Sequence, residues 1–195
     1  MPRRYDDRTA LVVVDVQNDF AHPEGALSVP GAQEAIPAVN EEIDAAVRAG
    51  AAIVYTQDWH PPSTPHFQKD GGIWPVHCVR GTWGAELHPM LRVVGDVVRK
   101  GTEGEDGYSG FSVRDPTEGT TSPTTLHRLL QERGVERLVV CGLATDYCVV
   151  ETVSDAERLG YTVEVPSAAI RAVEVHPGDG ERAIERMREA GAAVE

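Results

Sequence analysis

A chain of 195 residues with 41% apolar and 25% charged residues is long enough to bury a sizeable core and reads as one globular domain over residues 1–195. Its formal net charge of −13 would repel nucleic acid and anionic membrane surfaces, so neither is expected as a partner, whereas a small neutral or cationic substrate is compatible. The opening Met-Pro-Arg-Arg-Tyr-Asp-Asp leads into no apolar export segment and no run nears membrane-spanning length; the odd set Cys78, Cys141 and Cys148 fits reduced thiols, and the expected location is the cytoplasm.

Taken in chain order, apolar runs alternate with helical periodicity. Residues 10–16 predict a first strand. Residues 38–49 predict a helix with Val39, Ile43 and Val47 on one face and Gly50 as its stop, and residues 51–56 a second strand. After a long irregular stretch come a third strand at 96–99 and a helix at 123–133, with Ser122 as N-cap, Pro123 in its first position and Gly134 past its end. Leu138 to Val140 mark a fourth strand. In the helix after it, Val149, Val150, Val153 and Leu159 share a face and Gly160 is the stop. A fifth strand at 161–165, a last helix at 178–190 closed by Gly191, and a sixth strand at 192–194 complete the pattern. Repeated strand–helix units of this kind imply a three-layer α/β/α sandwich around a mostly parallel, about six-stranded sheet. The Gly- and Pro-rich stretches at 61–89 and 101–119 are too long to be simple connections and are expected to carry function.

In such sheets ligands bind beyond the carboxyl ends of the strands, so the residues delivered there are informative. The first strand ends in Asp15, the second runs into Asp58-Trp59-His60, the third into Lys100, and the fourth leads through a short turn to Cys148. A cysteine at a helix start faces unpaired N–H groups that stabilise a thiolate and bind a developing oxyanion, although that segment alone fits a small buried core residue equally well. Asp15, Lys100 and Cys148 at one rim suit acyl transfer through a thioester: the carboxylate takes the thiol's proton and later protonates a leaving amine, and the ammonium keeps the carboxylate ionised. Asp58-x-His60, with His66 and His77 downstream, suits Zn²⁺, Fe²⁺ or Mn²⁺; the alternative is a set of histidines that order a Pro-rich loop. His22, His88, His127 and His176 have no partner spacing and read as surface or packing residues.

These motifs resemble the nicotinamidase and pyrazinamidase branch of the isochorismatase-like cysteine hydrolases. The likeness spans nearly the whole chain: Val14-Asp15-Val16-Gln17-Asn18-Asp19-Phe20, Gln57-Asp58-Trp59-His60, Trp74-Pro75-Val76-His77-Cys78-Val79, Lys100-Gly101, Tyr108-Ser109-Gly110-Phe111, and Gly142-Leu143-Ala144-Thr145-Asp146-Tyr147-Cys148 follow one another in the family's order. The resemblance implies deamidation of nicotinamide to nicotinate and ammonia, with pyrazinamide as a second substrate and Asp15, Lys100 and Cys148 as the catalytic triad. It implies one divalent transition metal ion per chain, Zn²⁺ before Fe²⁺ or Mn²⁺, held by Asp58, His60 and His77 with His66 as an additional ligand in a metal-binding loop region at about 57–90. In enzymes of this kind the ion orients the pyridine ring through its nitrogen. Phe20, Trp74 and Tyr108 match positions around the ring, and the oxyanion donors would be the N–H groups of Ala144 and Cys148, after a cis peptide at Leu143–Ala144. Tyr147 stands where some relatives carry histidine, so it is expected to shape the pocket. A homo-oligomer is compatible with all of this. The competing readings are a superfamily amidase acting on an N-carbamoyl or ureido substrate, which generally lacks the loop histidines, and a non-catalytic binding module, which has no need of an intact triad.

Overall fold

The computed structural model describes residues 5–195. In chain order its elements are β1 (Thr9–Val14), α1 (Asn18–Ala21), α2 (Ala32–Ala49), β2 (Ala52–Asp58), β3 (Asp96–Lys100), β4 (Ser112–Arg114), β5 (Thr121–Pro123), α3 (Leu126–Glu132), β6 (Arg137–Leu143), α4 (Val150–Arg158), β7 (Thr162–Val165), β8 (Ile170–Arg171), α5 (Asp179–Ala190) and β9 (Ala193–Val194). The main sheet runs β3-β2-β1-β6-β7-β9, with β8 pairing the end of β6, and each of these pairings is parallel. Every residue of β1 is buried, because helices cover both faces of the sheet. Ala10, Val12 and Val14 pack with Leu126, Leu130, Val153 and Met187 from α3, α4 and α5. Leu11 and Val13 point the other way, onto Ile36, Val39, Ile43 and Ala46 of α2. Burying side chains such as Ile36 and Ile43 contributes about 1.5–3 kcal/mol each, so this stripe is what holds α2 to the sheet.

The three-layer parallel architecture is as expected, and several details differ from the sequence reading. Helix α2 begins at Ala32, upstream of the expected start. Pro37 lies inside it, and the apolar Ala32, Ala35 and Ile36 extend the buried stripe into its first turns. Val47 is exposed and Ala46 takes its place against the sheet; Leu159, just past the end of α4, is likewise exposed and does not share the buried face of Val149, Val150 and Val153. The expected helix at 123–133 is corrected most. Residues Thr121–Pro123 form β5, paired antiparallel with β4, and α3 starts only at Leu126. Ser122 is therefore not its cap; the Thr124 hydroxyl instead accepts from the Leu126 N–H at 3.2 Å and donates to the Gly110 carbonyl at 2.6 Å. Among the described residues, no helix is long and apolar enough to cross a membrane.

Read along the sheet, consecutive strands lie on either side of the β1–β6 junction, where the winding direction reverses. A crevice opens at such a switch point outside the strands' carboxyl ends. Gly142 makes the junction tight: a Cβ there would lie 2.1 Å from the Val14 carbonyl oxygen, and its φ of +110° favours glycine. The residues immediately beyond this close contact are Asp15 on one side and the Ala144–Cys148 turn on the other.

Candidate active site

Asp15 leaves β1 with φ of 48°, a left-handed conformation that aspartate tolerates better than most side chains. The Thr56 hydroxyl of β2 fixes it, accepting from the Asp15 N–H at 3.2 Å and donating to Oδ1 at 2.6 Å. Asp15 Oδ2 lies 2.7 Å from Lys100 Nζ at the end of β3. Lys100 is fully buried and also donates to Asp58 Oδ1 at 2.5 Å and to the Gly107 carbonyl. The ammonium's third hydrogen bond goes to Cys148 Sγ at 3.7 Å, while Asp15 Oδ2 is held beside it as an ion pair. The Cys148 thiol in turn faces the Gly107 carbonyl at 3.9 Å, with the Asp15 carboxylate within 4.8 Å of Sγ, near enough to take its proton.

Cys148 is the fourth residue of a single π-helical turn, Thr145–Val149, that runs into α4. The peptide between Leu143 and Ala144 is cis. Burial lifts the Cys148 thiol well above its ordinary value, against the pull of Lys100 and with the help of Asp15 and Asp58. Burial thus works against the thiolate that the helix start favours, and a base beside the thiol answers that cost. Burial also raises the Asp15 carboxyl, although Lys100 opposes it. The result is a stronger proton acceptor than an exposed aspartate. Burial alone would depress the Lys100 ammonium, but Asp15 and Asp58 outweigh that and hold it charged.

Asp58 is shared between two clusters. Its Oδ1 pairs with Lys100, whereas its Oδ2 lies 3.7 Å from His60 Nε2 and 4.0 Å from His77 Nε2. The histidines His60, His66 and His77, all buried, present one nitrogen each within 4.8 Å of one another. Neither ring nitrogen of His60 has a hydrogen-bond partner among the described residues, an unsatisfied arrangement that costs free energy unless a cation accepts the lone pair. His77 Nδ1 is paired with the Pro75 carbonyl at 2.7 Å, so Nε2 carries the lone pair that faces Asp58. Three imidazoles beside a carboxylate suit a divalent transition metal.

Burial pushes His77 down to about 4 from 6.5, with Asp58 opposing. The unfolded chain then takes up a proton near 6.5 that the folded chain refuses until about 4. Stability of the metal-free protein should accordingly be complete above the upper value and decline as pH falls through this window, by about 3 kcal/mol. Denaturant midpoints measured across the window test this: His77→Gln should flatten the slope, and an unchanged slope would contradict it.

Both clusters open into one cavity, lined by Cys148 and Ala144, by Asp58, His66 and His77, and by the aromatic Phe20, Trp74, Tyr108 and Tyr147. Trp74 Nε1 donates to the Tyr108 hydroxyl at 2.8 Å, and Trp74 meets Tyr147 edge-on at 4.9 Å between ring centroids. Every residue singled out from the sequence thus lies in or beside a single site. Sequence reading missed the groups that set their positions. Gln17 clamps the Asp58 backbone through paired bonds of 2.8 Å, Thr56 holds Asp15, and the Gly107 carbonyl accepts a hydrogen bond from Lys100. It also missed Leu27 and Val173 in the cavity wall. Gln17 stood inside a quoted motif; Leu27 and Val173 carried no local signal. His88, read as a surface or packing residue, is buried, with Nε2 unpaired among the described residues.

Residues 9–195 match the Isochorismatase domain family. A nicotinamidase of Escherichia coli is 37% identical, the alignment covering 95% of this chain and 93% of that one. A pyrazinamidase of Pyrococcus horikoshii, solved in complex with zinc, superimposes with a TM-score of 0.85 at 41% identity, covering 96% of this chain and 98% of that one. PnC1 of L. infantum, solved in complex with nicotinate, gives a TM-score of 0.85 at 33% identity over 97% and 92% of the two chains.

Proposed function

Because the chain belongs to the isochorismatase family, we propose that its cavity binds nicotinamide and hydrolyses it to nicotinate and ammonia through a Cys148 thioester. The observation that carries this reading is that a nucleophile with its base and a set of buried imidazoles line the same aromatic cavity. A catalytic thiol alone would serve many amides. A metal site facing it across an aromatic slot selects a flat ring that bears a nitrogen.

Asp15 takes the Cys148 proton as Sγ attacks the amide carbon, and Lys100 stabilises the negative charge that passes from carboxylate to sulfur. The oxyanion is received by the N–H groups of Ala144 and Cys148, each worth ~3 kcal/mol of barrier where comparable donors have been removed. Asp15 returns its proton to the amide nitrogen, the C–N bond breaks and ammonia departs, leaving a nicotinoyl thioester. A water deprotonated by Asp15 then attacks the thioester carbon. The C–S bond breaks, Asp15 gives that proton to sulfur, and the acid, which keeps water's second proton, leaves and releases it to solvent as nicotinate. Phe20, Trp74 and Tyr108 flank the ring, and Tyr147 narrows the mouth. Asp58, His60 and His77, with His66, would hold one Zn²⁺, the ion named for the P. horikoshii relative, with Fe²⁺ or Mn²⁺ as alternatives. Bound there, the ion supplies a Lewis-acid contact for the ring nitrogen. Residues 1–195 act as one domain with the metal loop at about 57–90, and the three free cysteines suit a reducing cytoplasm.

Ammonia release distinguishes the readings. Purified protein should turn over nicotinamide and pyrazinamide, lose most activity to a chelator and regain it with added Zn²⁺. An enzyme inert to both rings but active on a ureido compound would overturn the substrate and leave the triad standing.

A further inference from the structure

Three histidines face the metal site, and each is held differently. The His60 ring packs beneath Gly101, where a Cβ would come within 2.6 Å of Cε1. His77 Nδ1 is paired with a backbone carbonyl. His66 Nδ1 lies 2.6 Å from Asp106 Oδ1, a carboxylate in the 101–119 loop, 40 residues away in sequence. Asp106 belongs to none of the motifs, and the mechanism above does not use it.

We propose that Asp106 is a positioning residue for the metal site: its carboxylate holds the proton of His66 on Nδ1, so that Nε2 presents its lone pair beside His60 and His77. The proposal rests on the reading of these histidines as ligands. Two observations separate this role from simple loop closure. The backbone of Asp106 already exchanges both its N–H and its carbonyl with Arg114, at 2.8 and 3.0 Å, so the loop is tied without the side chain. Among the described residues the carboxylate makes no side-chain hydrogen bond other than that to His66, and it is only 15% exposed. A carboxylate partner also makes an imidazole a stronger donor than a carbonyl does. The next residue, Gly107, gives its carbonyl to Lys100, and the one after it, Tyr108, lines the cavity. One short segment therefore orients a metal-site histidine, accepts a hydrogen bond from the triad lysine and shapes the ring pocket.

The test is Zn²⁺ affinity, measured by competition with a chromophoric chelator. Asp106→Ala should weaken binding by roughly 10- to 100-fold. Asp106→Asn, which keeps an acceptor oxygen, should recover much of that loss, and Asp106→Ala should add nothing in a His66→Ala background. Unchanged affinity in Asp106→Ala, or the same weakening with and without His66, would overturn the proposal. His60→Ala separates the two levels of inference. If it weakens Zn²⁺ binding while Asp106→Ala does not, only the role of Asp106 falls; if neither does, the ligand set falls and the proposal with it.

Discussion

Cys148→Ala is expected to reduce ammonia release from nicotinamide to background, a loss of roughly 10⁴-fold or more. The size follows from the site's economy. Cys148 is the cavity's cysteine, while Cys78 and Cys141 are fully buried in the core, so no second thiol substitutes for it. Burial raises Cys141 and Cys78 as it does Cys148, but neither of them lines the cavity where a substrate would meet it. Removing Sγ leaves Asp15, Lys100 and the metal site in place, so the variant should still bind nicotinate and retain wild-type stability to within about 1 kcal/mol. Retained turnover would show that water attacks the amide directly and that the thiol is a bystander.

Lys100→Met should be nearly as damaging to activity and far more so to the fold. Lys100 is the cation between Asp15 and Asp58, and all three side chains are buried. Methionine has comparable length and no charge, so two carboxylates would face each other without a counterion, and the Gly107 carbonyl would lose its donor. Breaking a buried pair from one side costs roughly 3 to 5 kcal/mol. Chemical denaturation should show that loss in the metal-free protein. The double variant Lys100→Met with Asp15→Asn should recover part of the stability and none of the activity, because it removes an unpaired charge along with the base. A Lys100→Met protein as stable as wild type would mean that one of the carboxylates is protonated in the resting state.

The parallel sheet was readable because strands buried on both faces are written as continuous apolar runs, as in Leu11-Val12-Val13-Val14, and because glycine marks the helix ends at Gly50 and Gly191. The candidate site was readable for a related reason: a residue at a strand's carboxyl end has one direction to face, so Asp15, Asp58, Lys100 and Cys148 had to share a rim. Long-range pairing was hidden. Ser122-Pro123 has the chemistry of a helix start, yet its pairing with Ser112 and Val113 claims it for a strand, and nothing local announces that partner. The upward push on the Cys148 thiol was hidden too, since the helix start is a sequence feature whereas the burial that opposes it belongs to the assembled core. Asp106 illustrates the same limit, since its partner His66 comes from a different loop.

The most direct measurement is the mass of the peptide carrying Cys148 after enzyme turning over nicotinamide is quenched in acid. A nicotinoyl group in thioester linkage on Cys148, absent from Cys78 and Cys141 and from the Cys148→Ala protein, is the expected result. Full ammonia release from the alanine variant, or the acyl group recovered on a different cysteine, would contradict it.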